Sequence, residues 1–522
     1  SGDLSLDVAL RDAKAGATCC PQCGFENFSN KSHCVRCNRA LSSSDKASTK
    51  LSPINSTTVP KELPFASTRR LWTRKIDVKG RMFWYQEMNT RFSDSCVVVR
   101  FQNNQLITET PSSADPTVSF SAAWRSEAST NRQLIQDLVE LSSQDFPTRV
   151  AQFLTQMHGR RTGSPTTIPV TRATLLNDSI VALNDLSPSQ VLAPLRVQFA
   201  GERGIDAGGL YREWFQLLVH ELADPAAGVF VSYNTECKDV YLAPKSSDDQ
   251  VSRARAAGHL VGRALLDGLT IDYHLSTPLL KILVGAPVGL GDLESLDPQL
   301  FRSLLWIDEH RNIDSLGLDF TICEAIADKF PRAVDLLPNG GDVEVTDANK
   351  RLYIELMTHH RLARSVTEPL DAFVTGVYDI VPQELLALFS PEELDYILCG
   401  SDEIDVDDWE CNTRYTQDLW HHPTRRWFWE IVRSMPSEYQ RRLLQFATGS
   451  TRPPLSGFSA LTSYDGRLSP FTLVGMPLID DGFVRSHACF NRLDVPLHVS
   501  KSHLEKGLYA LLETDVHGFS TE

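Results

Sequence analysis

The chain has 522 residues, 42% hydrophobic and 22% charged, enough for two or three domains with ordinary cores. A formal charge of -15 and an isoelectric point near 5.4 argue against general affinity for nucleic acid or anionic membrane, because binders of either usually present a basic surface. No run of about 18 apolar residues and no charged-then-apolar leader occurs, so neither a membrane span nor secretion is expected; SGDLSL opens without Met, which leaves an upstream region open.

Five of the eleven cysteines fall within the first 37 residues and the rest are scattered singly, a pattern that suits a reducing compartment with one metal site. The expected address is cytoplasmic, with the nucleus also open. In CPQCGFENFSNKSHCVRC, two CxxC knuckles separated by ten residues supply Cys20, Cys23, Cys34 and Cys37. Four thiolates at this spacing suit tetrahedral zinc, so residues 16–41 are expected to be a small four-cysteine finger holding one structural Zn2+ per chain. So short a segment has hardly any core, and ligation would supply on the order of 10 kcal/mol of folding energy. Cys19 reads as a spare thiol, and no organic cofactor is expected.

Residues 42–63, rich in Ser, Thr, Lys and Pro, read as a linker. Within 64–101, a turn signal at Lys79-Gly80, the aromatic run Phe83 to Tyr85 and the β-branched run Val97 to Val99 predict a small β module. The spacing of Trp72 from Phe83-Trp84 resembles a WW domain, but the family's second Trp and closing Pro are missing, with Asp94 and Val97 near their places. Residues 102–120 read as a second linker and 121–144 as a helical lead-in.

Beyond that point apolar residues recur at spacings of three and four, which predicts a mostly helical body. Pro147 marks a helix start or kink, a helix is expected from about Leu210, and two more should break near Pro369. SPEELDYIL carries a complete helix start: Ser390 as N-cap, Pro391 in the first turn and Glu393 closing a capping box. Gly400, Ser401, Asp402 and Glu403 then form a poorly hydrophobic break that reads as a hinge. After it come helices at RRWFWEIV and SEYQRRLLQFATG, strands around FTLVG and CFNRLDVP, and a last helix, SHLEKGLYALL.

Near the end stands SHACFNRLD. If Ser486 to Phe490 is extended, a period of two sets His487 and Cys489 on one side, where an imidazolium would favour thiolate and sharpen the nucleophile. On these residues alone, a buried small thiol beside a satisfied imidazole is the commoner arrangement.

SHACFNRLDVP resembles the active-site segment of HECT-type ubiquitin ligases, Thr-His-Thr-Cys-Phe-Asn-Arg-Leu-Asp-x-Pro, with Ser486 and Ala488 in place of the two threonines. GIDAGGLYREWF, LLPNGGDVEVTDANKRLYIELM and LLQFATGSTRPPLSGF resemble further motifs of that family, in its order, from about Asp145 to the end. The resemblance implies an α+β bilobal domain: a mostly helical N-lobe at 145–399, the hinge at 400–403 and an α/β C-lobe at 404–522, preceded by the finger and the β module. It implies ubiquitin, a conjugating enzyme and a protein substrate as partners, Cys489 as thioester nucleophile, and supporting roles for His487 and Asp494. Asp494 would orient or deprotonate the incoming amine, a turn or helix-cap contact being the other reading. Phe519, fourth from the end, is implied to seat the C-lobe during transfer, and Glu522 is an acidic last residue of the kind the family shows. Leu300, Leu304, Tyr353 and Met357 are implied to line the conjugating-enzyme groove; core packing is the other reading. The alternatives are a cysteine hydrolase using Cys489 and His487, and a non-catalytic adaptor.

Asn27 makes the four-cysteine unit resemble the zinc fingers named for the Ran-binding nucleoporin. Ubiquitin-binding members carry Thr-Phe after the second cysteine and an apolar residue inside the last knuckle; here stand Gly24-Phe25 and Arg36, and Thr18 occupies the place of the usual Trp. A protein-docking or purely structural finger is at least as well matched.

Overall fold

The structure, a computed structural model, describes residues 4–41, strands at 72–76, 82–86, 98–102, 105–109 and 117–119, and residues 140–513 except 142–143, 162, 203–208, 234–238, 325–331, 402–403, 451, 462–467, 479–483 and 498–499. Its mixed helix and strand content is that of an α+β chain. No described helix is long and apolar enough to cross a membrane.

Helix Leu4–Ala15 leads into the four-cysteine unit, where Ala17–Cys19 pairs antiparallel with Glu26–Phe28. In the β region, Trp72–Ile76 and Met82–Gln86 pair antiparallel; Lys79-Gly80, read as a turn signal, lies outside the described residues. The stretch 102–120, expected as a linker, carries strand Gln105–Glu109, paired with Val98–Gln102, and strand Thr117–Ser119, paired with Met82–Gln86. The β-branched residues Ile107, Thr108, Thr117 and Val118 favour a pleated backbone. Their signal was hidden by the Ser, Pro and Asp residues between them.

Two hydrophobic cores are found among the described residues. The first runs from Cys20 to Cys399 and includes the four-cysteine unit; the second runs from Val406 to Leu512. At the division Gly400 has φ 72° and ψ -160°, a backbone region that only glycine enters cheaply.

Helix Phe146–Arg160 begins as Pro147 suggests, with Asp145 capping it through a bond from the Thr148 amide. The first core is centred on helices Asp248–Asp267 and Thr367–Ile380, whose backbones nearly touch. A Cβ on Gly258 would overlap the Phe373 carbonyl oxygen, and one on Gly376 would overlap that of Arg255. The break expected near Pro369 falls earlier, at the 3-10 turn Arg364–Val366, because Pro369 lies in the first turn of its helix, where no intrahelical N–H is required. The capping box of helix Pro391–Cys399 is formed as expected, with Ser390 Oγ accepting from the Glu393 amide at 3.2 Å and Glu393 accepting from the Ser390 amide at 2.8 Å.

In the second core a four-stranded sheet runs Arg414–Tyr415, Thr472–Met476, Arg492–Pro496, Arg485–His487, the first three parallel and the last antiparallel. Helices Pro423–Ser434, Ser437–Thr448 and Lys501–Glu513 cover it. Trp409, fully buried, stacks on Phe458 at 4.8 Å and meets Trp429 edge-on at 5.7 Å.

Candidate active site and four-cysteine centre

The strands Arg485–His487 and Arg492–Pro496 are antiparallel, with Arg485 opposite Asp494, Ser486 opposite Leu493 and His487 opposite Arg492. Between them lies one 3-10 turn, Ala488–Phe490, with Cys489 at its centre. Asn491 follows in the left-handed region at φ 51° and ψ 47°, which Asn tolerates better than other side-chain-bearing residues. The extended course expected through Phe490 therefore ends at His487. The chain must reverse within four residues to pair His487 with Arg492, so Cys489 sits on a turn and the period-two argument does not reach it.

That turn is fastened on several sides. The Asn491 amide donates to the Ala488 carbonyl at 3.2 Å, and its side-chain Nδ2 donates to the Ser469 carbonyl at 2.8 Å. The Asn491 carbonyl accepts from the Thr472 amide at 2.9 Å, and Ser469 Oγ donates to the Phe490 carbonyl at 3.1 Å. Ser486 Oγ donates to the Phe446 carbonyl, so the hydroxyl retained at that position is used. Phe490, next to the thiol position, is 55% exposed.

Asp494 is buried on its strand and held by two neighbours. Arg492 donates from Nε to Oδ1 at 2.6 Å and from Nη2 to Oδ2 at 2.9 Å, and His487 Nε2 stands 3.2 Å from Oδ2. Neither a turn nor a helix cap describes it: it is the anionic centre of an Arg-carboxylate-His group, the usual condition for a buried charge. An ionised carboxylate only accepts, so a bond at this distance takes its proton from Nε2, and in that tautomer Nδ1 is the acceptor. The His487 side chain is about half exposed and Asp494 is not, so the pair presents an imidazole to solvent with its anion behind it.

In the four-cysteine unit the sulfurs of Cys20 and Cys37 are 3.5 Å apart, as are those of Cys23 and Cys34, and all four lie within 4.8 Å of one another. Four thiolates at about 2.3 Å from a tetrahedral zinc would stand about 3.8 Å apart, so this donor set fits the ion. Each knuckle closes by the same pair of backbone bonds: Gly24 N to Cys20 O and Cys20 N to Phe25 O, then Asn38 N to Cys34 O and Cys34 N to Arg39 O. Gly24 and Asn38 take positive φ at equivalent places. Asn27 ties the knuckles together, accepting from the Val35 amide at 2.9 Å and donating to the Phe25 carbonyl at 3.0 Å. A second group, His274, Asp395 and Cys399, is explained by hydrogen bonding: the imidazole meets the carboxylate at 2.9 Å and the thiol donates to the Tyr273 carbonyl at 3.3 Å.

Of the residues expected to line a partner groove, Leu304, Tyr353 and Met357 are buried in the first core and Leu300 is half-buried against it. Those three side chains pack within that core. Their helices, Pro298–Glu309 and Lys350–Leu362, are joined by Lys350 Nζ, which donates to the carbonyls of Ile307 and Asp308 at 3.0 and 2.9 Å. The exposed large apolar side chains on them are Trp306 (45%) and Leu352 (46%), each within two residues of an expected contact. Spacing of four identifies a helix face but not which way it points, and here it found the inward face.

Gly400 and Ser401 stand at the division between the cores; Asp402, Glu403, Phe519 and Glu522 lie outside the described residues. Arg492 and Asn491 were missed in the sequence. The alternation of Arg492 and Asp494 along a strand could have identified the first, since i and i+2 share a face.

A family model described as HECT-domain (ubiquitin-transferase) matches residues 216–522. A protein of Neurospora crassa named E3 ubiquitin-protein ligase TOM1-like is 33% identical over 367 residues, 69% of this chain and 9% of its own length. Arabidopsis thaliana E3 ubiquitin-protein ligase UPL2 is 33% identical over 391 residues, covering 72% and 10%, and Schizosaccharomyces pombe E3 ubiquitin-protein ligase ptr1 is 32% identical over 381 residues, covering 72% and 12%. The chain thus spans about a tenth of the length of the curated relatives it matches.

Proposed function

Because the chain belongs to the HECT-domain (ubiquitin-transferase) family, we propose that it is a ubiquitin-protein ligase that accepts ubiquitin on Cys489 and passes it to a substrate lysine. The observation that carries the reading is the family match over 216–522, which takes in the fastened turn bearing HACFNRLD. In the first step the Cys489 thiolate attacks the thioester carbonyl of a charged conjugating enzyme, whose cysteine leaves as thiolate. In the second a lysine amine attacks the new thioester, Cys489 leaves, and the amine's proton passes to a base. Exchange between thioesters is nearly balanced in energy, so the protein's contribution is proximity and orientation.

Cys489 suits that task by standing on a turn rather than inside a strand, beside the exposed Phe490. His487 is the candidate base, through Nδ1, and Asp494 orients the ring and offsets the charge it gains. Arg492 fixes the carboxylate. The division into two cores at Gly400 supports an N-lobe, a C-lobe and a hinge between them, as delivery to and from one sulfur requires. Phe519 would seat the C-lobe during transfer, with Glu522 beside it. Trp306 and Leu352 are the apolar side chains available to a conjugating enzyme, with Leu304, Tyr353 and Met357 supporting them from the core. The four-cysteine unit would hold one zinc, and its Phe25, the residue shared with ubiquitin-binding fingers, is buried at 7% exposure, which favours docking within this chain.

A reconstituted reaction with a panel of charged conjugating enzymes tests the reading. The expected outcome is a reductant-sensitive ubiquitin adduct that disappears in Cys489→Ala and becomes a reductant-resistant, hydroxylamine-sensitive ester in Cys489→Ser. An adduct persisting in Cys489→Ala refutes the assignment. Free ubiquitin as the main product would favour the hydrolase, and no loading with any donor the adaptor.

A further inference from the structure

The four-cysteine unit is seated at the hinge and touches both sides of it. Toward the N-lobe, Phe25 packs against Phe146 at 5.7 Å and edge-on against Tyr396 at 6.1 Å, and Phe28 meets Phe146 at 5.7 Å. Glu26 accepts from the Phe146 amide at 2.7 Å and lies 3.6 Å from Arg149, whose guanidinium grips Glu393 with two bonds. Arg36 pairs with Glu392 at 3.1 Å. Glu392, Glu393 and Tyr396 all belong to helix Pro391–Cys399, the last element before the hinge.

Toward the C-lobe, the loop between the two knuckles reaches the first element after the hinge. Asn30 Nδ2 donates to the Ser456 carbonyl at 2.8 Å, and Ser32 Oγ donates to Asp405 at 3.2 Å. The partly buried Lys31 ammonium feels the carboxylates of Asp408, Asp405 and Asp12, whose attraction opposes the fall in its pKa that burial causes. Arg11, on the helix preceding the finger, adds a bond of 3.4 Å to Ser459. Asp405 is the N-cap of helix Val406–Cys411, and Asp408 accepts from the Phe458 amide, so these acids are anchored parts of the C-lobe rather than loose surface charges. The Ser456 to Ser459 stretch that receives the finger adjoins the segment in which Arg452 donates to the Cys399 carbonyl at 2.6 Å and Leu455 accepts from Tyr396 at 3.4 Å. A single small unit therefore bonds the last helix of one lobe and the first helix of the other, on either side of Gly400, whose backbone takes a conformation that other residues enter only at a cost.

We propose that the four-cysteine finger is a brace between the lobes: its aromatic face is rooted in the N-lobe, and Asn30, Lys31 and Ser32 are positioning residues that hold the C-lobe against it. The C-lobe can swing only when this loop lets go. The partner of the finger is thus the start of the chain's own C-lobe, bonded by Asn30 and Ser32 and carrying the acids Asp405 and Asp408 toward Lys31. Zinc, where bound, acts at a distance, by keeping the loop between the knuckles in shape.

The test is a distance measurement on the full chain, made without ubiquitin, so that its failure leaves the Cys489 reading untouched. Spin labels on bioorthogonal residues replace the exposed Val181 in the N-lobe and the exposed Glu438 in the C-lobe, and pulsed dipolar spectroscopy reads the distribution of separations. Lys31→Glu sets like charges face to face, and the fraction of molecules with separated lobes is expected to rise roughly tenfold. Lys31→Arg is expected to keep the parent distribution, a rescue that bulk structural damage would not give. Asn30→Ala, which removes the donor to Ser456, is expected to broaden the distribution while zinc content stays at the parent level. A variant or chelated chain that has lost zinc has lost the brace by another route and should broaden as well. A parent-like distribution in Lys31→Glu and Asn30→Ala, or in the zinc-free chain, overturns the proposal.

Discussion

Phe25→Ala tests whether the seat of the four-cysteine unit on the first core is a packed interface. Phe25 is 7% exposed and lies between two rings, Phe146 at 5.7 Å and Tyr396 at 6.1 Å. Truncating a buried Phe to Ala typically costs about 3–5 kcal/mol, from lost transfer energy and the cavity left behind. The seat can relax partly toward solvent, so about 3 kcal/mol is the expected loss. That lowers the ratio of seated to unseated finger by more than about a hundredfold, at a factor of about ten per 1.4 kcal/mol. The Phe146 amide is a specific reporter. It lies at the first position of its helix, where it has no intrahelical partner, and it donates to Glu26 of the finger at 2.7 Å. Native-state hydrogen exchange should therefore show the Phe146 amide losing about two orders of magnitude of protection in Phe25→Ala, while amides in the middle of helix Phe146–Arg160 keep theirs. Unchanged protection at Phe146, with zinc content unaltered, would refute the interface. A uniform loss along the helix would mean that the substitution damages the first core itself.

Metal analysis of the purified chain should find one zinc, and none in Cys34→Ser combined with Cys37→Ser; a metal-free parent chain would reject the finger. Gly258→Ala should cost about 3 kcal/mol, because its Cβ would overlap the Phe373 backbone carbonyl, whereas at Gly262 the Cβ meets the Ile380 side chain at 2.9 Å, which can turn aside. Thermal midpoints measured on both variants should fall further for Gly258→Ala, and the reverse order would contradict the account of the crossing. His359 has its pKa lowered by burial first and then by Arg364 and His360. The unfolded chain takes up that proton near about pH 6.5 and the folded chain only at lower pH, so the stability His359 contributes is present above about 6.5 and declines as pH falls toward the folded value. Urea midpoints at about pH 7.5, 6.5 and 5.5 should fall less steeply in His359→Gln than in the parent, and parallel slopes would rule out this residue.

Much of what depends on near neighbours was legible in the amino-acid sequence. The two CxxC knuckles bring four sulfurs together because each pair closes through its own turn, and Ser390 and Glu393 form their capping box within a single helical turn. The helices Phe146–Arg160 and Ser437–Thr448 follow from apolar spacing with Pro147 at one start and Gly449 at the other end. HACFNRLD was legible as a motif because its residues are contiguous. Only the tertiary structure decided which face of a periodic helix is covered, so Leu304, Tyr353 and Met357 proved to be core while Trp306 and Leu352 remain exposed. It also decided that Cys489 stands on a turn, through the reversal that pairs His487 with Arg492, and that Phe25, Asn30 and Arg36 face segments hundreds of residues away. Periodicity and turn chemistry act over a few residues, whereas burial and charge pairing depend on what the rest of the chain brings alongside, and no local pattern encodes that.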